Sequence, residues 1–152
     1  MVVTSLRKEA APLIRYRTRD LTRQLPEPCP CGLSMPRHDR ILGRSDDMFV
    51  FRGVNIYPGQ IASVLEQFKD VDSEFQIRLL RRDGRDQMVV KVERKPGTGP
   101  ELDQNLSEAI SIEMRKHLFV RGWVEIMAPG TLPRTFGKTK RVVDDRNGIE
   151  DE

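Results

Sequence analysis

The sequence predicts an α+β fold for residues 43–152, with a split β-α-β arrangement. Three observations support this prediction. Apolar residues alternate in short runs, as in strands; in two other segments they recur every three or four residues, as in helices; and the elements follow the order strand, helix, two strands, helix, strand. In that arrangement two helices lie on one face of an antiparallel or mixed sheet. The fold alone indicates no function, because it supports many activities.

Residues 1–42 differ from the rest of the chain. Two short β-type runs, at residues 2–6 and 13–17, are separated by an Ala-Ala-Pro turn and followed by a connector rich in proline and glycine, LPEPCPCGLSMPRHDR. This part has few apolar residues and no helix to pack against, so we do not expect it to fold alone. We predict that it is the end of a larger domain.

The second part opens with a hairpin and a helix. Two strands, at residues 48–51 and 54–57, flank a turn at Arg52 and Gly53. Pro58 suits the first turn of a helix, because no N–H donor is needed there. Apolar residues at helical spacing follow it, and they predict a helix with one buried face. These residues are Ile61, Val64, Leu65 and Phe68.

A hairpin, a second helix and a last strand complete the prediction. The hairpin spans residues 74–95, with its turn at Asp83 and Gly84. A strand is predicted at residues 123–127, and a loop follows from Pro129 onward. The helix lies between them, through LDQNLSEAISIEMRKHLF, and has one apolar face. That face consists of Leu102, Leu106, Ile110, Met114 and Leu118.

The composition excludes several classes of partner. The 152 residues include 26 Lys and Arg against 23 Asp and Glu, which gives a net charge of +3. Nucleic acid usually requires a denser basic surface, so we expect no nucleic-acid partner. No segment is apolar over enough length to span a bilayer, and the N-terminus does not resemble a signal peptide. We therefore expect no membrane association and a cytoplasmic location.

One lysine near the end of the chain is a candidate catalytic residue. Lys138 follows Gly137 in LPRTFGKTK, and the glycine gives this loop conformational freedom. A nucleotide-binding P-loop needs a glycine five residues before Gly137, where this chain has Leu132, so that motif is excluded. Two interpretations remain: a cation that reaches an oxyanion, and an ordinary exposed lysine.

Two further residues are candidates for binding a nucleotide. Asp20 lies near the end of a predicted strand, where a carboxylate can accept hydrogen bonds from the vicinal hydroxyls of a ribose. The alternative is an ordinary turn aspartate. Arg44 follows Gly43, and its planar guanidinium suits a phosphate or a sugar. The alternative is a surface ion pair with Asp46 or Asp47.

Three segments together resemble a known family. They are YRTRD, GRSDDMFVFRGVNIYP and LPRTFGKTKRVVD, at residues 16–20, 43–58 and 132–144. In this order and at this separation they resemble the C-terminal part of adenylate-forming acyl-CoA ligases, most closely the phenylacetate–CoA ligase family. The resemblance covers residues 2–146. It implies a two-step reaction in which ATP, with Mg²⁺, and a carboxylic acid give an acyl-adenylate and pyrophosphate, after which coenzyme A displaces AMP.

The resemblance also implies roles for individual residues. In such ligases a small C-terminal domain, here residues 43–152, rotates between two orientations, one for each step. Asp20 would bind the ribose hydroxyls of ATP, and Arg44 would contact the nucleotide near its ribose and phosphate. Asp46 would lie at the hinge, with a helix- or turn-capping aspartate as the alternative. Gly53 would line the pantetheine channel, with an ordinary hairpin glycine as the alternative. Lys138 would be the adenylation lysine, whose charge offsets that of the carboxylate and the α-phosphate in the transition state.

Several parts of such a ligase have no counterpart in this sequence. The chain contains no Ser/Thr/Gly-rich loop for pyrophosphate and no segment that could form an acid-binding pocket. We therefore expect residues 1–42 to be a remnant of the large domain's final strands. We also expect the chain to need a large N-terminal adenylation domain or subunit, and not to form adenylates alone. The resemblance implies that the substrate of the whole enzyme is an aryl acid such as phenylacetate. It therefore also implies a role in phenylacetate catabolism.

Two cysteines suggest a metal site. Cys29 and Cys31 are too close in sequence to form a disulfide easily, and with His38 they would give three ligands of a structural zinc site, which normally has four. The resemblance implies that any further ligand would come from the large domain. Free thiols in a loop are the alternative.

A second interpretation of the whole chain belongs to a different class of protein. A non-catalytic regulatory module with a ferredoxin-like sheet would bind a small molecule without a partner domain. Such modules often dimerise through their sheets, so a homodimer is one expected state of the chain.

Overall fold

The sequence predicts a change in organisation at residue 43, and the structure divides close to this point. The computed structural model describes residues 1–134 and 140–146. The chain forms two units, Met1–Met48 and Phe49–Glu152, so the division follows Met48 rather than residue 42. That these units are the end of a large domain and a complete small domain stays a prediction.

The first unit consists of short strands joined by loops. None of residues 1–48 is fully buried. The strands form three antiparallel pairs: β1 (Val2–Val3) with β2 (Tyr16–Arg17), β3 (Asp20–Leu21) with β6 (Gly43–Arg44), and β4 (Gln24–Leu25) with β5 (Arg37–His38). The predicted strands at 2–6 and 13–17 are reduced to two residues each, and Arg15, with φ at 48°, cannot continue an extended run.

The second unit contains the two predicted helices and most of the β-structure, which confirms the α+β class. A short 3₁₀ turn, Pro100–Leu102, precedes the second helix. In chain order the elements are β7 (Phe49–Phe51), β8 (Val54–Ile56), α1 (Pro58–Leu65), β9 (Val71–Arg82), β10 (Arg85–Arg94), α2 (Asp103–Leu118), β11 (Trp123–Met127) and β12 (Val142–Asp144).

The sheet of the second unit differs from the predicted split arrangement. Its strand order is β11-β10-β9-β12, with an antiparallel centre and edge strands parallel to their neighbours. The strand before α1 is not part of this sheet. Arg52 and Gly53 both have positive φ, 50° and 80°, and the two-residue turn they form pairs β8 with β7. β12, which the sequence places in a loop, takes the edge beside β9.

Both helices contact each other and pack on the sheet through apolar residues that the sequence spacing predicts. Two residues of the predicted helix 2 are exceptions. Leu102 precedes α2 and is exposed, and Phe119, with φ at 58°, ends the helix and is also exposed. Burial of each large apolar side chain contributes about 1.5–3 kcal/mol, so these contacts hold the unit together. The buried residues of the two helices are Ile61, Val64, Leu65, Ile110, Met114 and Leu118.

Candidate functional site

Three of the predicted site residues meet in the first unit. Asp20 in β3 and Arg44 in β6 are directly paired across the two strands. The Nη1 atom of Arg44 lies 3.5 Å from Oδ1 of Asp20. Arg44 also donates two hydrogen bonds to Asp46, from Nε to Oδ1 at 3.0 Å and from Nη2 to Oδ2 at 2.9 Å. We call Asp20, Arg44 and Asp46 the arginine cluster.

The charges of this cluster stabilise one another. Hydrogen bonds from Arg44 lower the pKa of Asp46, and Asp46 in turn raises the pKa of Arg44. The ion pair with Asp46 is therefore present, as one sequence interpretation of Arg44 expected. Both side chains are about 30% exposed, and solvent screens such pairs so that they add little to stability; an incoming phosphate can therefore replace the carboxylate.

Asp20 has an unused acceptor. Its side chain is 17% exposed, and Oδ2 accepts no hydrogen bond within residues 1–134 and 140–146. A cavity of about 420 Å³ also lies in this unit, beside Asp46, and its other lining residues are Tyr16, Arg17, Arg19 and Ser45. The cluster thus combines a carboxylate that can accept hydrogen bonds with a guanidinium that can bind an anion.

Gly53 lies at the tip of the β7–β8 hairpin in the second unit. A Cβ atom at this position would meet no atom within 4 Å, so the turn is open and glycine is favoured by its φ of 80° alone. The neighbouring Arg52 donates a hydrogen bond of 2.8 Å from Nη2 to the carbonyl of Asp86. This bond ties the hairpin to the start of β10.

A cationic cavity beside this hairpin was not predicted from the sequence. It measures about 380 Å³ and is lined by Arg52, Arg82, Asp83, Arg85, Gln87 and Trp123. Arg82 and Arg85 form no salt bridge with any carboxylate in the described part of the chain. Trp123 is the only tryptophan in the sequence and is 42% exposed. The pair of arginines around the Asp83-Gly84 turn was the available signal, but sequence does not show which side chains surround Trp123.

Lys138 lies outside the described residues, as does Gly137. The described chain ends at Arg134 and resumes at Lys140. The support for the role of Lys138 therefore comes from the sequence segment LPRTFGKTKRVVD alone.

The predicted zinc ligands come together only in part. The Sγ atoms of Cys29 and Cys31 are 2.7 Å apart, both thiols are free, and the hydrogen bond between them lowers the pKa of Cys31. His38 Nδ1 lies 2.6 Å from the carbonyl of Asp39. Across residues 1–134 and 140–146, no group of three His, Cys, Asp or Glu side chains is placed to hold a metal ion. The thiols alone do not make a four-ligand zinc site.

Comparison with known proteins agrees with the three motifs. The profile of a family described as "AMP-binding enzyme C-terminal domain" matches residues 53–146. The phenylacetate-coenzyme A ligase of Aromatoleum evansii is 39% identical over 151 residues, which cover 96% of this chain and 34% of that protein. The chain thus spans about a third of the length of the curated relatives it matches.

Solved structures show the same relationship. A 2-hydroxyisobutyryl-CoA ligase in the postadenylation state, in complex with R3-HIB-AMP, is 35% identical with a TM-score of 0.78, covering 96% of this chain and 32% of that one. The same kind of ligase in complex with 2-HIB-AMP and CoA, in the thioesterification state, is 35% identical with a TM-score of 0.62, covering 96% and 31%. No described helix is long and apolar enough to cross a membrane.

Proposed function

The chain belongs to the family of AMP-binding enzyme C-terminal domains, and from this premise we propose that it works as the C-terminal part of an AMP-forming acyl-CoA ligase. The whole enzyme would convert ATP, a carboxylic acid and coenzyme A into acyl-CoA, AMP and pyrophosphate. One observation carries this proposal: the arginine cluster is assembled in a chain that is 39% identical over 151 residues to a phenylacetate-coenzyme A ligase.

The arginine cluster would serve the first step. Oδ1 and Oδ2 of Asp20 would accept hydrogen bonds from the ribose hydroxyls of ATP. Arg44 would exchange Asp46 for an oxygen of the nucleotide, a replacement that is inexpensive at this exposure. Asp46 would then be released from its bidentate bond, which suits a hinge residue. Mg²⁺ would enter with ATP, held mainly by the phosphates. Lys138 would supply a positive charge to the reacting carboxylate and α-phosphate.

We expect Asp20→Ala to raise the KM for ATP by about 10- to 100-fold, because hydrogen bonds to a charged group contribute about 1.5–3 kcal/mol. The measurement is steady-state kinetics of an enzyme in which this chain is fused to the truncated large domain of the Aromatoleum evansii ligase. Asp39→Ala is the matched control, because it removes another carboxylate of the first unit, one paired with Arg23 at 2.9 Å. An unchanged KM in the Asp20 variant, or an equal rise in both variants, contradicts the ribose role.

The hairpin and the cationic cavity would serve the second step. Gly53 leaves the tip of the hairpin free of side-chain atoms, which suits close passage of the pantetheine arm. The phosphates of coenzyme A carry negative charge, and the cations Arg82 and Arg85 both line the adjoining cavity. Trp123 offers an aromatic face for the adenine.

Coenzyme A is expected to change the fluorescence of Trp123 in a saturable way. Arg82→Gln combined with Arg85→Gln should weaken the apparent affinity by at least about tenfold, because the loss of even one charge-assisted hydrogen bond costs about 1.5–3 kcal/mol. The matched control is Arg7→Gln with Lys8→Gln, two exposed cations of the first unit. A titration without saturable change, or equal weakening in the control, contradicts this part of the proposal.

The acid substrate follows only from the relatives. Phenylacetate is the acid in the name of the Aromatoleum evansii ligase, and an aryl acid of this type is our proposal for the whole enzyme. A large N-terminal adenylation domain would form the acid pocket.

The test is a fused enzyme in which this chain replaces the matching C-terminal third of the Aromatoleum evansii ligase. We expect the fused enzyme to form phenylacetyl-CoA from phenylacetate, ATP and coenzyme A, and the truncated large domain alone to form little. A fused enzyme that is soluble and cooperatively folded, yet no more active than the truncated domain, contradicts the proposed function.

A further inference from the structure

We propose that two separate side-chain networks of the second unit position the two elements that the proposed function uses. One network, centred on Glu74 and Glu93, holds the chain on both sides of the segment that carries Lys138. The other, centred on Arg146, holds the hairpin that carries Gly53. Their effect on reaction rates rests on the proposed function, whereas their effect on the local structure does not.

Glu93 anchors the chain that leads to Lys138. It lies in β10, its side chain is fully buried, and it is the only buried charged side chain in the described part of the molecule. Its carboxylate accepts hydrogen bonds from the backbone N–H groups of Gly130 at 2.8 Å and Leu132 at 2.7 Å, and from Nη2 of Arg134 at 2.7 Å. A buried carboxylate persists only where donors satisfy it. All three donors come from residues 130–134, so this carboxylate fixes the path of that segment.

Glu74 joins the two sides of the segment. Its Oε2 atom lies 3.1 Å from Nη1 of Arg134 and 2.8 Å from Nη1 of Arg141. Arg141 also donates a 2.9 Å hydrogen bond to the carbonyl of Phe75 and lies over the Phe75 ring, 4.7 Å from its centre. The residues that flank 135–140 therefore meet at one carboxylate oxygen. We call Glu74, Glu93, Arg134 and Arg141 the loop anchor.

A bulge in the sheet explains how two carboxylates come to this place. The pairing of β9 with β10 shifts register between Val92 and Arg94, whose partners are Phe75 and Val71. Glu93 lies at that shift on β10, and residues 72–74 lie opposite it on β9. Bulges re-aim side chains that a regular ladder would place elsewhere. Both carboxylates thus point to the segment that continues toward Lys138.

The second network holds the Gly53 hairpin. Nη1 of Arg146 donates to the carbonyl of Val50 at 3.1 Å and lies 3.2 Å from Oδ2 of Asp86. Two further bonds from Arg146 to Asp144, of 2.8 and 2.6 Å, fix the orientation of its guanidinium. The carbonyl of Asp86 also accepts the hydrogen bond from Arg52. We call Asp86, Asp144 and Arg146 the hairpin anchor.

The two anchors share no residue, so their effects can be separated. Glu74 is 25% exposed and Arg146 is 21% exposed, and ion pairs that solvent reaches contribute little to stability. A displacement of about 1 Å can cost about 100-fold in rate. Loss of the loop anchor should therefore impair adenylation, and loss of the hairpin anchor should impair thioester formation. Each acts as a positioning network rather than through contact with the substrate.

The first experiment is hydrogen exchange in the chain itself. Glu74→Gln is expected to raise amide exchange by about tenfold or more at Arg134 and in residues 140–142, because Glu74 joins the side chains of Arg134 and Arg141. Residues 130–132, which Glu93 holds, and the hairpin at 49–56 should be unchanged. Arg146→Gln is expected to raise amide exchange by about tenfold or more in the hairpin at 49–56 and to leave residues 130–134 and 140–142 unchanged. Each variant is the matched control of the other. Glu93→Gln removes a fully buried charge and can unfold the unit, so it is not the test variant. A uniform change, or none, overturns the proposal.

The second experiment measures both half-reactions of the fused enzyme. We expect Glu74→Gln to lower kcat for pyrophosphate exchange about tenfold, with the KM for ATP and thioester formation from preformed phenylacetyl-adenylate changed less than about twofold. Arg146→Gln should lower thioester formation about tenfold and spare pyrophosphate exchange. Equal losses in both steps overturn the assignment of one anchor to each step. An inactive unsubstituted fusion counts against the proposed function, while hydrogen exchange still decides whether the anchors hold these segments.

Discussion

Replacing Lys138 with alanine is expected to lower the rate of acyl-adenylate formation by about 100- to 1,000-fold in the fused enzyme. One positioned donor that faces developing negative charge contributes about this much to a rate. Thioester formation from preformed phenylacetyl-adenylate should change little, because the proposed rotation of the small domain takes this lysine away from the α-phosphate before the thiol attacks. Other groups would then stabilise the charge that AMP gains as it leaves. The measurement is pyrophosphate exchange for the first step and single-turnover thioester formation for the second.

Lys140 provides the matched control for this variant. It is an exposed cation two residues further along the same motif, so Lys140→Ala makes an equal change in net charge. We expect it to reduce pyrophosphate exchange by less than about threefold, because an exposed charge is largely screened. Equal losses in the two variants would show that the loop needs positive charge in general, and the specific role of Lys138 would then be wrong.

Gly53→Leu is expected to have the opposite selectivity, with thioester formation reduced by about 100-fold and adenylation largely retained. The fold of the second unit has room for the new side chain, because no atom lies within 4 Å of the added Cβ. The loss would therefore come from obstruction and displacement of the pantetheine arm, for which about 1 Å is sufficient. Single-turnover measurements of the two half-reactions provide the test.

The backbone strain of this variant needs its own control. Gly97 also has a positive φ, 91°, and open space around its position. A left-handed conformation costs a residue with a side chain roughly 1–2 kcal/mol, and Gly97→Leu carries this same cost away from the hairpin. If Gly97→Leu slows thioester formation as much as Gly53→Leu does, strain rather than obstruction explains the result.

Local sequence patterns predicted the helices and strands of the second unit more accurately than they predicted which strands pair with one another. In α1 and α2 apolar residues recur every three or four positions within one short segment, and this spacing directly predicts buried residues such as Ile61 and Ile110. The position of β12 is not predicted in this way, because its three residues show no clear alternation and pair with β9 across more than 60 residues of chain. The hairpin of β7 and β8 is the intermediate case: its turn was predicted, but not its separation from the sheet.

The site shows the same limit. Asp20 and Arg44 are 24 residues apart, and only the strand pairing brings them together, so composition and spacing could nominate each one but not the arginine cluster. The sequence around Glu93, VVKVERK, contains nothing that singles this carboxylate out, yet it is fully buried at the register shift of the sheet and bonded by residues 130–134. Non-local burial of this kind has no signature in a single sequence.

The most direct test of the account is whether this chain contributes to both half-reactions. Pyrophosphate exchange and thioester formation from phenylacetyl-adenylate would be measured for the truncated large domain with and without this chain fused to it. Addition of the chain should accelerate both steps by at least about 100-fold. If the truncated large domain carries out either step at the rate of the folded fusion, the claim that this chain contributes to both half-reactions is contradicted.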